Sequence, residues 1–416
     1  MSDKIKIFTI SDHPLSPSGV GTQTKYIIES MLKTGKYQFV SFGGAIKHPN
    51  HAPQKTEEWG EDWVIWPVDG YGNQDMVRAM IRQQKPDILW FMTDPRFYDW
   101  LWLIENEIRT HVPMVYYHVW DNYPYPTFNR GYYLSNDHIA CISKVTHDIV
   151  QTVAPEVDSS YIPHAVDGDV FKPHTQEEVK TWRMSKSLDD KFVCFWNSRN
   201  ARRKQSGTLI WWFKEFLDKV GHDNACLIMH TDVKDQHGQD LEAIIHELGL
   251  TNGEVLFSRD KVTARDLAGM YNMADLTICI SDAEGFGLST LESLSCGTPI
   301  LVNMTGGLQD QVTDGEKFFG IGLQPASKAI IGSQQVPFIY EDRLNKDDFV
   351  NALVELYEMT PEARRELGMA GRQWSEDFFG FDKFIQTWDD LFTSIVEKKG
   401  SWDDRQGYKS YEVKVY

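Results

Sequence analysis

No stretch of the chain reaches the ~18 consecutive apolar residues that a membrane-crossing helix needs, so no integral membrane association is expected. Cysteine is scarce. Cys141, Cys194, Cys226, Cys279 and Cys296 are scattered, odd in number and form no CxxC pair. That disfavours a disulfide framework and a zinc site. Each lies in or beside an apolar run, as a buried thiol in a reducing compartment would. Positive charge is in deficit: 42 lysines and arginines face 60 acidic residues, a formal net charge of −18. Such a balance works against broad, non-specific nucleic-acid binding. The first residues, MSDKIKIFTISD, carry an early acid and only a short apolar run. They read as a first strand, not a signal peptide, and a cytoplasmic protein is expected. No fixed-period repeat or low-complexity tract is visible. Asp167 and Asp169 have an Asp-x-Asp spacing, but they lie in a stretch that reads as a crossing between domains, and no other metal-ligand cluster stands out.

What the chain does have is length and alternation. At 416 residues it is too long for one ordinary core. Strand-like runs at 5–10, 39–42, 88–92, 114–118 and 139–142 alternate with amphipathic helical segments. A second series follows at 192–196, 226–230, 255–257, 276–280 and 299–302. Between two of these, Leu209, Trp212, Phe213, Phe216 and Val220 show helical spacing. Strands alternating with helices predict an α/β fold with two parallel sheets built from βαβ units. The stretch 162–173, IPHAVDGDVFKP, is the best boundary. The expected division is a first domain over 1–163, a linker over 164–173, a second domain over 174–380, and, over 381–416, a C-terminal helix returning to the first domain and a polar tail.

Ligands of doubly wound sheets bind at the carboxyl ends of strands. Four motifs fall there. Gly19 and Gly21 lie in SPSGVGT after the first strand, where glycines permit positive φ and the next helix offers free N–H groups to a phosphate. His118 ends the run 114–118, with Trp120, Tyr123, Tyr125 and Phe128 close behind for stacking on a ring. Arg199, Arg202, Arg203 and Lys204 form a basic cluster after 192–196, suited to the charge of a diphosphate. The most informative stretch is 281–307, SDAEGFGLSTLESLSCGTPILVNMTGG. Glu284 and Glu292 flank a Gly-Phe-Gly turn there, and the helix beginning near Leu288 points its N-terminus at any ligand held by the turn. Carboxylates in that position accept hydrogen bonds from vicinal hydroxyls. A plainer role for Glu292 is to complement the helix dipole.

In this order the motifs resemble the retaining glycosyltransferases of family 4, also known as glycosyl transferases group 1, which have the GT-B fold. AEGFGLSTLESLSCGTP is similar to that family's E-x7-E signature, and 270–275 to the segment before it. Residues 162–167 resemble its interdomain linker, with His164 and Ala165 replacing an asparagine and a glycine. The resemblance covers roughly residues 1–395, but the first half matches only at the glycine loop, His118 and Ile142-Ser143. It departs at Ser198, where the family has a glycine before the arginine, and at the extra arginines of the basic loop.

The resemblance implies two Rossmann-like domains facing each other across a cleft, closing over a nucleotide-diphosphate sugar. Arg199 and Lys204 match the basic pair on the diphosphate. Glu284 matches the glutamate facing the transferred sugar, and Glu292 the one on the ribose. Gly285, Phe286, Gly287 and Leu288 match the backbone contacts to sugar and phosphate. Gly19 and Gly21 match the loop covering the phosphates from the acceptor domain, and His118 a histidine near the sugar. The implied reaction is transfer of a hexose to an acceptor hydroxyl with retention, by front-face displacement, needing neither cofactor nor metal. The expected partners are the nucleotide-sugar donor and a saccharide or other hydroxylated acceptor. Two alternatives stand beside it. A viral-type DNA glycosyltransferase acting on hydroxymethylated bases fits the aromatics and the basic loop, but is disfavoured by the net charge. A catalytically inactive sugar-nucleotide-binding protein fits the fold.

Overall fold

The computed structural model describes residues 4–334 and 336–412. The chain divides into two compact units. The first comprises Met1–Trp120, Pro124–His164 and Asp382–Tyr416; the second comprises Asp121–Tyr123 and Ala165–Phe381.

The first unit is built on a sheet ordered β3-β4-β2-β1-β5-β6-β7-β8. Its strands are β1 (Ile5–Asp12), β2 (Tyr37–Gly44), β3 (Gln54–Lys55), β4 (Trp63–Pro67), β5 (Ile88–Met92), β6 (Met114–His118), β7 (His138–Cys141) and β8 (Ser159–Tyr161). All pairings are parallel except β3 with β4. Central strands read as unbroken apolar runs because helices cover both faces; ILWFM in β5 is buried throughout.

The helix Phe381–Lys399 belongs to this unit from Asp382 onward. It places Trp388 against Trp90 and Tyr117, with ring centroids 6.0 and 4.8 Å apart. Asp389 accepts from Tyr37 Oη at 2.6 Å and pairs with Lys36 at 2.6 Å. The following residues, unassigned from sequence, are fixed to the same unit. Trp402 Nε1 donates to the Pro86 carbonyl at 3.0 Å, and Arg405 pairs with Asp137 at 2.6 Å with both side chains buried. The last four residues of the tail lie outside the described residues.

The second unit has a six-stranded parallel sheet ordered β11-β10-β9-β12-β13-β14. Its strands are β9 (Phe192–Asn197), β10 (Ala225–His230), β11 (Val255–Ser258), β12 (Leu276–Cys279), β13 (Ile300–Asn303) and β14 (Gly320–Leu323). Counted from its first strand the order is 3-2-1-4-5-6, the doubly wound arrangement whose direction reverses between β9 and β12. The helix Ser206–Val220 buries Leu209, Phe213 and Phe216 on the core face, with Trp212 and Val220 partly buried beside them. Each fully buried side chain of this size contributes roughly 1.5–3 kcal/mol.

An antiparallel hairpin, β15 (Ser327–Ile331) with β16 (Ile339–Arg343), follows β14. Neither it nor β14 was expected. GIGL has too few apolar residues to read as a strand, and IYEDR ends in three consecutive charged residues, which breaks the apolar alternation of a strand. All five cysteines are buried and free. The Asp167 carboxylate accepts the Asp169 N–H at 2.9 Å, so the Asp-x-Asp spacing here makes a turn.

Candidate active site

Two loops of the second unit leave the strands on either side of the reversal point. The first runs from the end of β9 through a short helical turn, Arg202–Lys204, to the helix Ser206–Val220. Gln205, between turn and helix, holds φ 58°, a left-handed conformation that a side-chain-bearing residue adopts only when its surroundings enforce it. Its Nε2 donates to Asp282 at 2.6 Å, which ties the first loop to the second.

The second loop carries Glu284, Gly285, Phe286 and Gly287 into the helix Leu288–Ser295. Gly287 is the residue before the helix and needs its φ of 89°. The helix opens with no side-chain cap. The paired glycines that close the motif now have a reason. A Cβ on Gly306 would overlap the Glu284 carbonyl, and one on Gly307 would stand 2.6 Å from the Gly285 carbonyl oxygen. Gly307 N–H donates to the Glu284 carbonyl at 3.0 Å. Gln311, fully buried, donates to the Phe286 and Gly287 carbonyls at 2.7 and 3.1 Å and accepts from Thr290 Oγ1 at 2.7 Å. The Gly-Phe-Gly turn is therefore fixed from behind.

Charge is concentrated where the loops meet. Lys204 Nζ donates to the Glu284 carboxylate, and their side chains are 12% and 14% exposed. The Arg203 guanidinium lies 3.6 Å from the same carboxylate and donates through Nη1 to the Ala283 carbonyl. Burial pushes the Glu284 carboxyl up, but Lys204 and Arg203 outweigh it and hold the group below its ordinary value. Arg199 stands elsewhere: its side chain is 59% exposed and binds Asp235 through Nε at 2.6 Å and Nη2 at 3.1 Å. Arg202 makes a two-pronged pair with Glu341 of β16, at 2.8 and 2.6 Å.

Glu292 lies one turn inside its helix and does not cap it. Its carboxylate accepts from Tyr271 Oη at 2.6 Å, and Tyr271 Oη accepts from Asn197 Nδ2 at 2.9 Å. Burial pushes the Glu292 carboxyl up to about 7, with the Tyr271 hydrogen bond opposing the shift. Tyr271, Asn197, Glu341 and Gln311 were missed as site residues, and Arg203 was read only as one member of the basic cluster. Tyr271 was readable: it lies in the quoted segment 270–275, and a buried tyrosine hydroxyl needs a polar partner.

The sequence candidates of the first unit look different in place. The helix Gly19–Lys33 begins at Gly19, and its cap residue Ser18 accepts the Gly21 N–H at 2.9 Å. Gly21 does not use a positive φ, contrary to expectation. Its Cβ direction is filled by the His13 carbonyl and Ser16 Oγ, both at 2.7 Å, so the glycine is required by close packing. His118 is fully buried. Its Nε2 bonds Tyr133 Oη at 2.9 Å and its Nδ1 faces Tyr116 Oη at 3.3 Å. Burial lowers its pKa to about 3, so it is a neutral ring held by two tyrosines. Trp120 is buried against Phe128 at 5.8 Å, whereas Tyr125 and Phe128 are exposed.

Two Rossmann-like units with this strand order define the GT-B class. Sucrose-phosphate synthase (tll1590) from Thermosynechococcus elongatus is similar over 95% of this chain and 100% of its own, with TM-score 0.75 and 15% identity. Anabaena Alr3699/HepE, solved with UDP and glucose, matches over 94% and 100%, with TM-score 0.70 and 15% identity. At such identities the likeness speaks for the fold.

Residues 176–374, within the second unit, match the family described as glycosyl transferases group 1. Among curated relatives, the D-inositol 3-phosphate glycosyltransferase of Arthrobacter sp. (strain FB24) is 32% identical over 113 residues, 27% of this chain and 26% of the relative. The GDP-mannose-dependent alpha-(1-6)-phosphatidylinositol monomannoside mannosyltransferase of Mycolicibacterium smegmatis is 25% identical over 249 residues, 58% of each. The chain thus spans between 26% and 58% of the length of these two relatives.

Proposed function

We propose that the protein is a retaining glycosyltransferase that moves a hexose from a nucleoside diphosphate sugar to an acceptor hydroxyl. The observation that carries this is the Lys204–Glu284 pair at the reversal point of a sheet matching group 1 glycosyl transferases. In the resting site the carboxylate occupies the cation. A donor replaces that contact with two better ones: the diphosphate takes Lys204, and sugar hydroxyls take Glu284. The helix start at Leu288 adds a favourable dipole for the phosphate. Glu292, held by Tyr271, accepts hydroxyls of the ribose.

In the reaction the bond from the anomeric carbon to the diphosphate oxygen breaks. The acceptor oxygen bonds to that carbon on the same face, and its proton passes to the departing phosphate. No side chain at the loops is asked to form a covalent intermediate. Lys204 stabilises the charge that grows on the diphosphate, so the reading includes neither cofactor nor metal, and turnover unchanged in a chelator is expected. The relatives named for inositol phosphate and phosphatidylinositol mannoside support a hydroxylated, non-protein acceptor. The decisive experiment offers a panel of nucleotide sugars with mixed polyol and saccharide acceptors and follows diphosphate release and product mass. Absence of release with every donor removes the enzymatic reading, and an inverted anomeric centre in the product, seen by NMR, removes retention.

A further inference from the structure

The basic loop carries four cations in six residues, and the surrounding carboxylates sort them. Arg199 is matched by Asp235, which takes two of its nitrogens. Asp235 is itself fixed, accepting the His237 N–H at 2.8 Å with its side chain 11% exposed. Arg202 is matched by Glu341, which takes both terminal nitrogens and also accepts from Arg343 at 3.0 Å. Each of these arginines has a carboxylate of its own, on an element away from Glu284. Arg203 and Lys204 share Glu284, and the charge of Asp121 also acts on Arg203. A guanidinium has five N–H donors, and Arg203 spends one, on the Ala283 carbonyl. Its others donate to no acceptor among the described residues, and the group lies beside the turn that leads into the Gly287 helix start.

We propose that Arg203, not Arg199, is the second cation of the donor-phosphate site. This rests on the reading given under Proposed function. When the donor's diphosphate enters, Lys204 meets it as a point charge. Arg203 turns its unused N–H pair to two phosphate oxygens, a fork geometry that lysine cannot supply. Arg199 keeps Asp235, and Arg202 keeps Glu341. The family's position for the arginine is thus occupied by Arg199, while the function has moved four residues along to a side chain that faces Glu284.

The test is calorimetric titration of the full chain with UDP, GDP and ADP and with the matching uncharged nucleosides. Arg203→Gln is expected to weaken diphosphate binding by about 10–100-fold, the value of a hydrogen-bonded charge. It is expected to leave nucleoside binding unchanged and to flatten the salt dependence. Arg199→Gln is expected to stay within about twofold of the unmodified protein, as a pair exposed to solvent should. Arg203→Lys, which keeps the charge and guards against misfolding, is expected to fall between. The proposal is overturned if Arg203→Gln or Arg203→Lys binds diphosphate like the unmodified protein. It is equally overturned if nucleoside affinity falls in parallel, which would mark a structural role, or if Arg199→Gln shows the larger loss. An unmodified protein that binds none of the three diphosphates overturns the functional reading itself, a different result from any of these.

Discussion

The two sheets share a strand order around their first strands, yet their carboxyl edges carry opposite chemistry. In the second unit the reversal point brings an acid to two cations, Glu284 to Lys204 and Arg203. The loops 198–205 and 280–287 expose no large apolar side chain. In the first unit the equivalent point lies between β1 and β5, and its acid, Asp12, meets hydroxyls: Ser18 Oγ at 2.6 Å and Tyr71 Oη at 2.8 Å. The loops after β1, β2, β5 and β6 expose Leu15, Ile46, Phe97, Tyr125 and Phe128. One edge holds an internal ion pair, which under the proposed function is exchanged for an anion. The other combines a hydrogen-bonded carboxylate with loops that expose apolar side chains. Topology fixes where a ligand is held; the loop residues fix which chemistry is held there.

The contrast can be broken most sharply at Lys204. Lys204→Ala is expected to lower kcat by about 10²–10³, the cost of one charge-stabilising donor, with an unchanged circular dichroism spectrum. Retained activity would end the assignment of the second edge as the diphosphate site. Next in size is Tyr271→Phe, which removes the hydrogen bond to Glu292. About tenfold in donor KM is expected, with kcat little changed, because a lost hydrogen bond to a charged group costs roughly 1.5–3 kcal/mol at most.

A pH effect follows from the same carboxylate. In the proposed role Glu292 must be ionised to accept ribose hydroxyls with both oxygens, and burial pushes its carboxyl up to about 7. Donor affinity should therefore be full above that value and fall as pH drops through it, read as donor Kd against pH. Since the Tyr271 hydrogen bond favours the ionised form, Tyr271→Phe should move the falling limb to higher pH. The smallest effect is expected on the other edge. Phe97→Ala should change stability by no more than about 0.5 kcal/mol and leave donor Kd unaltered, because the side chain is half exposed and far in function from the charged loops. A large loss of donor affinity there would collapse the distinction between the edges.

The α/β alternation and the E-x7-E stretch were legible because they depend on residue type. Apolar runs announce buried parallel strands, and the glycines of Gly-Phe-Gly announce a turn ahead of a helix. What stayed hidden depends on direction. Nothing in RNARRK tells which arginine turns to Asp235, which to Glu341 and which to Glu284, since the partners lie 36 to 139 residues away. His118 reads as reactive from its place at a strand end, but two tyrosines, at 116 and 133, enclose it. Gly306 and Gly307 were quoted within the motif, yet their necessity appears only when the Glu284–Phe286 backbone is seen against them.

The segment after Phe381 has a consequence for how the protein is made. Trp388 fills a place among Trp90 and Tyr117, and Arg405 joins Arg109 on the buried Asp137. A ribosome emits the strands of the first unit long before it emits those two side chains. The opening half of the chain must wait, with an apolar surface around Trp90 and Tyr117, while the second unit is synthesised and can already close its own core. Biosynthesis thus finishes the first unit last.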